Sequence, residues 1–148
     1  MAAYYWVDTR ARNGVPSTAL RGGTDSDGDA IYVGRAFHDG DWLPAKVIPN
    51  KDVAYIAYGG EEHSKCEYQV LCEQRFDWVS ARDGEIPDGA VEGGRTCDGE
   101  PLYIGRAHHH GSLTVGKVRI TKIEQISSQL STPFAFNSFL TQALIYSS

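Results

Sequence analysis

RGGTDSDGDAIYVGRAFHDGDWLPAKV, residues 21–47, returns as EGGRTCDGEPLYIGRAHHHGSLTVGKV at residues 92–118. The offset is 71 throughout: Gly22, Gly23, Asp27, Gly28, Tyr32, Gly34, Arg35, Ala36, His38, Gly40, Lys46 and Val47 all recur. Composition alone does not produce so long an ordered match. Upstream, Trp6-Val7 matches Trp78-Val79 and Val15-Pro16 matches Ile86-Pro87, with one residue gapped between the pairs. This period is longer than that of solenoid repeats, and two copies point to a pseudo-twofold domain.

Local patterns say what each unit is. In AIYVGRA, Ile31 and Val33 alternate with Tyr32 and Gly34, the pattern of a half-buried strand. HDGD at 38–41 is a hairpin-turn signal. WLPAKV follows as a strand whose Pro44 predicts an edge or a bulge. PNKD at 49–52 turns, VAYIAY at 53–58 is a strand, and GGEEHSKCE loops back into YQVL at 68–71. No strong helical periodicity occurs in residues 1–118. The expected fold is all-β: two tandem pseudo-twofold repeats of short antiparallel strands.

The expected organisation is a single domain over 1–148, with repeat one at 1–72, an incomplete repeat two at 73–118 and a divergent tail at 119–148. At the fixed offset, residues 124–142 should mirror 53–71. The chain from Glu124 instead reads EQISSQLSTPFAFNSFLTQALIYSS, with neither a second YGG nor a second Tyr-x-Val-Leu. The tail either supplies different strands or finishes the second unit with an unrelated segment.

The bulk numbers agree with a β-rich globular protein. The 148 residues include 16 Gly, 8 Tyr and 3 Trp, a mixture that favours strands and turns. A net charge of −5 argues against nucleic acid as a partner. No stretch approaches the ~18 apolar residues of a membrane helix, so no membrane span is expected. The start MAAYYWVDTR lacks the basic and apolar regions of a secretion signal. Three cysteines, Cys66, Cys72 and Cys97, fit a reducing compartment better than a disulfide framework. A cytoplasmic location is expected, or release without a signal after cell damage.

The turn at 25–29 carries three aspartates. A calcium loop needs glycine at its sixth position and an acid at its twelfth; here glycine comes fourth and Ala36 stands twelfth, so the template fails. Asp27-Gly28 recurs as Asp98-Gly99, which assigns Asp27 to turn architecture as an acceptor of backbone N–H groups. Asp29 is loosely kept as Glu100 and should stay solvated, whereas Asp25 is Thr96 in the second copy. Lys46 recurs as Lys117 inside a strand, where a lysine either snorkels or holds its ammonium at a pocket rim. Arg35 and Arg106 are expected in ion pairs or carbonyl clamps, with Asp27 and Asp98 as candidate partners. His38, His63 and the run His108–His110 lack zinc-site spacing, and no metal or cofactor is expected. No G-x-S-x-G, P-loop or G-x-G-x-x-G is present, and the nearby Cys66 and His63 make a poor dyad, so the chain is not expected to be an enzyme.

The ordered blocks GG-x-D-x-DG-x-x-IYVGRA-x-H-x-GD-x-LPAKV and AYIAYGGEEHSKCEYQVL resemble the DM-nine repeat family over about residues 1–118. That resemblance implies two intertwined repeats in one β-rich domain, a dimer, and a mannose-specific lectin of the pattern-recognition type. It also implies that the aspartate of the GG-x-D turn and the lysine of the P-x-K-V strand hold the sugar hydroxyls. These are Asp25 and Lys46 here; Lys117 is the weaker second-copy candidate, since Thr96 replaces its aspartate. The same repeats form the lectin part of natterin-like pore-forming proteins. A non-catalytic interaction module, or an orphan fragment of such a protein, is therefore the alternative. A hydrolase using Asp25 and Asp27 is a third reading.

Overall fold

The glycine pairs explain how the two halves join. In the computed structural model, which describes residues 4–73, 75–81, 85–118, 123–125 and 141–147, each pair lies on a four-residue strand. β2 is Arg21–Thr24 and β9 is Glu92–Arg95. β2 pairs with β3 (Ala30–His38) of its own half and, at Thr24, with Leu113 of β11 (Ser112–Val118) in the other half. β9 does the reciprocal, pairing with β10 (Pro101–His109) and, at Arg95, with Trp42 of β4 (Asp41–Ile48). A side chain at either crossing is impossible: a Cβ on Gly23 would lie 1.9 Å from the Leu113 carbonyl oxygen, and one on Gly94 2.1 Å from that of Trp42. The repeats therefore interlock rather than stack.

The regular structure of the described residues is almost all strand, as the alternation predicts, and these strands join one antiparallel sheet system. β1 (Tyr5–Arg10) pairs with β7 (Glu67–Cys72), and β7 with β3. β4 pairs with β3 and β5 (Val53–Tyr58), and β5 with β6 (Glu61–Lys65). β12 (Ile123–Gln125) pairs with β11. The only helical turn among the described residues is the 3-10 turn Pro49–Lys51. No helix among them is long and apolar enough to cross a membrane.

Three local readings need correction. GGEEHSKCE is not a loop: Gly59 and Gly60, both at positive φ, turn the chain tightly and residues 61–65 form β6. Its polar composition hid it, because β6 lies at one end of the strand order and needs no continuous apolar face. Pro44 is on neither an edge strand nor an irregular register. It falls where the second neighbour of β4 changes from β9 at Trp42 to β5 at Ala45.

The third correction concerns the tail. β13 (Thr141–Tyr146) pairs with β8 (Phe76–Ala81) and β10, as β7 pairs with β1 and β3. The Leu144 carbonyl accepts from Val91 N–H at 2.9 Å, matching Leu71 and Leu20 at 2.9 Å. TQAL at 141–144 is thus the counterpart of YQVL at 68–71, displaced by two residues from the 71-residue offset and lacking the tyrosine. Residues 126–140 lie outside the described residues. Leu144 enters a buried core that joins paired positions of the halves: Leu20 with Val91, Val33 with Ile104, and Leu71 with Leu144. β13, within the stretch read as a divergent tail, therefore contributes Leu144 to the core.

Two stability measurements follow. Leu144→Ala leaves a cavity in the shared core and should cost about 2–5 kcal/mol in urea unfolding, as should Leu71→Ala. Gly23→Ala should be still harsher, because a backbone carbonyl cannot rotate away as a side chain can. A soluble, cooperatively unfolding Gly23→Ala variant with unchanged midpoint would contradict the crossing geometry.

Candidate functional site

β2 and β3 are joined by a tight turn in which Gly28 N–H bonds to the Asp25 carbonyl at 2.9 Å and Asp25 N–H to the Asp29 carbonyl at 2.8 Å. The second half repeats it: Gly99 to Thr96 at 2.9 Å and Thr96 to Glu100 at 2.9 Å. Gly28 and Gly99 both have φ of +88°, which explains the recurring glycine. The backbone is thus duplicated and the side-chain chemistry is not. In the second half Thr96 Oγ1 accepts from Glu100 N–H at 3.0 Å. In the first, Asp25 accepts from Ser26 N–H at 2.9 Å through Oδ1 and from Lys51 Nζ at 2.5 Å through Oδ2.

Lys51 is the residue that sequence reasoning missed. The 3-10 turn after β4 projects its ammonium between the aspartates, 2.5 Å from Asp25, 2.8 Å from Asp27 and 3.9 Å from Asp29. The three carboxylates converge closely enough to suggest a cation site, and the ammonium supplies that positive charge. Two turn assignments change accordingly. Asp25, not Asp27, has the backbone N–H bond, while the Asp27 carboxylate pairs with Lys51. Asp29 is not simply solvated, for it accepts from Asn50 Nδ2 at 3.0 Å.

Lys46 lies in the middle of β4 and is 2% exposed; Asp25 is 7% exposed. The two do not form an ion pair with each other. Lys46 Nζ lies 3.5 Å from Glu62 Oε1 of β6 and 5.5 Å from the Tyr55 ring centroid. Burial depresses the Lys46 pKa, opposed by the charges of Glu62 and Asp25. Burial raises that of Glu62, opposed by Lys46. For Asp25, burial acts upward, but the Lys51 and Ser26 hydrogen bonds and the two lysine charges outweigh it and hold the carboxyl below its usual range. Glu62 Oε1 is buried and faces the Lys46 ammonium at ion-pair distance. His109, on β10 of the other half, has its pKa lowered by burial and by the charges of His110 and Lys46. Asp25, Lys46, Lys51 and Glu62 thus form one electrostatically coupled polar cluster.

Lys117 is placed differently. It is 5% exposed and its Nζ donates to the Ala57 carbonyl at 3.0 Å, across to the first half. The arginines of the two GRA blocks do not pair with Asp27 and Asp98. Arg35 Nε donates to Gln69 Oε1 at 2.7 Å and its guanidinium lies 4.1 Å from the Trp6 ring. Arg106 Nε donates to Gln142 Oε1 at 2.8 Å, lies 4.2 Å from Trp78, and clamps the Gly22 carbonyl at 3.0 Å. His38 makes a 3.4 Å contact with Lys65 Nζ and packs on Tyr58 and His63.

The DM9 repeat profile matches residues 25–124. The chain belongs to the DM9 repeat family. DM9 membership implies a carbohydrate-binding, lectin-like module. Among solved structures, a nematode sperm cell motility protein, MFP2B, superimposes with a TM-score of 0.68 at 16% identity, over 95% of this chain and 45% of that one. The present DM9 chain therefore spans less than half of that protein, and the likeness is one of fold. No curated protein matches it in sequence.

The Lys51 contact generates a pH prediction. The folded pKa of Asp25 lies below its unfolded value, so ionised Asp25 stabilises the fold above about pH 4 and this contribution fades as pH falls through the folded pKa. Lys51→Met should lower the melting temperature near neutral pH, and its difference from wild type should shrink as the pH is lowered. Thermal melts between about pH 2 and 7 check this; a pH-independent difference would mean that Lys51 acts through packing instead.

Proposed function

We propose that the chain is a mannose-binding lectin whose sugar site is centred on Asp25 and Lys46. The observation that carries the reading is the asymmetry of the duplicated turns. The fold builds the same backbone around Thr96 as around Asp25, yet only the first half places a buried carboxylate on that turn, within electrostatic reach of the buried Lys46.

The chemistry suits a vicinal diol. An ionised carboxylate accepts from two adjacent hydroxyls, and an ammonium donates to their lone pairs. Asp25 retains acceptor capacity beyond its bonds to Ser26 and Lys51, and Lys46 retains donors beyond its contact with Glu62. The buried Glu62 carboxylate, whose Oε1 meets Lys46 Nζ at 3.5 Å, is a third group able to accept a hydrogen bond from a hydroxyl. Because Lys46 and Asp25 are held by neighbours, their geometry is set before a ligand arrives, which lowers the ordering cost of binding. Such a polar site should hold one sugar weakly, with Kd on the order of 1 mM. Avidity on a microbial glycan would come from a homodimer presenting two sites, in a pattern-recognition role. Free Cys66, Cys72 and Cys97 fit action in a reducing compartment.

Isothermal titration with methyl α-mannoside tests the proposal. Wild type should bind, and Asp25→Ala and Lys46→Met should each weaken binding by about tenfold or more while keeping a folded circular-dichroism spectrum. No binding by wild type, or equal binding by both variants, would overturn it.

A further inference from the structure

A second feature of the first half has no counterpart in the second. Phe37 at the end of β3 and Trp42 at the start of β4 face each other across the hairpin, rings edge to face at 5.6 Å. Phe37 is 51% exposed and Trp42 36% exposed. The same strand positions in the second half hold His108 and Leu113. The hairpin therefore forms without aromatics, and two large rings left in water do not serve core stability.

The rings border a groove of about 920 Å³. Its other walls come from β1 and the turn after it, β6 and β7, and include Asp8, Asn13, Glu67 and Gln69. Two of these polar groups, Asp8 and Gln69, are held in place. Gln69 Nε2 donates to Asp8 Oδ1 at 2.9 Å, and Gln69 Oε1 accepts from Arg35 Nε at 2.7 Å. The Arg35 guanidinium lies 4.1 Å from the Trp6 ring and 5.4 Å from that of Trp42, which ties the polar chain to the aromatic wall. In the second half the arginine, its tryptophan and its glutamine are kept as Arg106, Trp78 and Gln142, while Ser80 replaces Asp8 and Leu113 replaces Trp42. The shared part is scaffold; the aromatic platform and the carboxylate are additions to it. Trp42 also borders a second cleft of about 280 Å³ with Arg35, Glu92 and Arg95.

We propose that this groove is a second saccharide-binding site, in which a pyranose lays its apolar C–H face on Trp42 and Phe37 while its hydroxyls bond to Asp8, Asn13 and Gln69. A pyranose has one face of C–H groups and a rim of hydroxyls, and an exposed aromatic pair beside fixed acceptors and donors matches both. At about 920 Å³ the groove has room for a short oligosaccharide rather than one free sugar. It shares no lining residue with Asp25, Lys46, Lys51 or Glu62. The inference rests on the reading of the chain as a carbohydrate binder, but not on the Asp25 and Lys46 site.

The test uses the full chain and the double variant Asp25→Ala/Lys46→Met, each with and without Trp42→Leu. Leucine is the residue the second half carries at this position, so folding should survive, and thermal unfolding checks it. The probes are mannotetraose, chitotetraose and cellotetraose, followed by NMR shifts of the Trp42 indole N–H and of the Gln69 amide. At least one probe should shift both signals in wild type and in the double variant, and Trp42→Leu should weaken that binding by about tenfold in both backgrounds. Shifts that vanish in the double variant would assign all binding to Asp25 and Lys46 and overturn the second site. So would silence of both signals up to about 50 mM probe, far above a ~1 mM Kd. Sedimentation provides the remaining outcome: if Trp42→Leu turns a dimer into a monomer and no probe moves the signals, the groove seats a second copy of this chain and the saccharide proposal fails.

Discussion

Two backbone crossings without side chains hold the rest of the structure in place. At Gly23 and at Gly94 a strand of one repeat lies against a carbonyl of the other, closer than any Cβ permits. Because β2 is anchored on β11 and β9 on β4, each GG strand is shared between halves. This sharing decides where the following turn sits. Asp25 comes directly after Thr24, the residue paired with Leu113, so the position of its carboxylate depends on the other repeat. The carboxylate that Lys51 meets is thus placed by a contact that neither repeat makes alone.

On that duplicated frame the chemistry is one-sided. What both halves keep is architectural: an arginine against a tryptophan and a glutamine, a glycine at positive φ in the turn, and a leucine carbonyl receiving an N–H from the opposite segment. What only the first half has is the buried carboxylate of Asp25 and the exposed aromatic pair of Phe37 and Trp42. Thr96 fills the first position with a backbone-satisfying hydroxyl, and Leu113 the second with an aliphatic side chain. A repeat protein permits this division, because one copy can preserve the fold's requirements in plain view while the other departs from them.

The aspartate turn shows how such departures are stabilised. Three carboxylates on five residues would repel one another, and Lys51 answers them with an ammonium in contact with Asp25 and Asp27. The neighbouring Lys46 is less comfortable, being almost wholly buried with Glu62 at 3.5 Å. Burying a charged pair with imperfect hydrogen bonding opposes stability, a tension common where groups are arranged for ligands rather than for folding.

Much of the fold was legible in the chain by itself. The repeat, the strands around 30–36, 42–47, 53–58 and 68–71, and the DM9 resemblance follow from alternation, turn glycines and ordered blocks, which are local properties. So was the odd status of Asp25, because comparing the two copies needs no coordinates. β6 and β13 escaped, one for its polar edge sequence and the other because two extra residues break the offset and a single glutamine-leucine pattern remains. The partners escaped as well. Nothing in PNKD marks Lys51 for Asp25, nothing in GGEEHSK marks Glu62 for Lys46, and GRA does not announce Trp6 and Gln69. Sequence determined which residues differ between the repeats. Only the tertiary structure decided which groups meet, because an ion pair or a stacked guanidinium depends on distances between strands far apart in the chain.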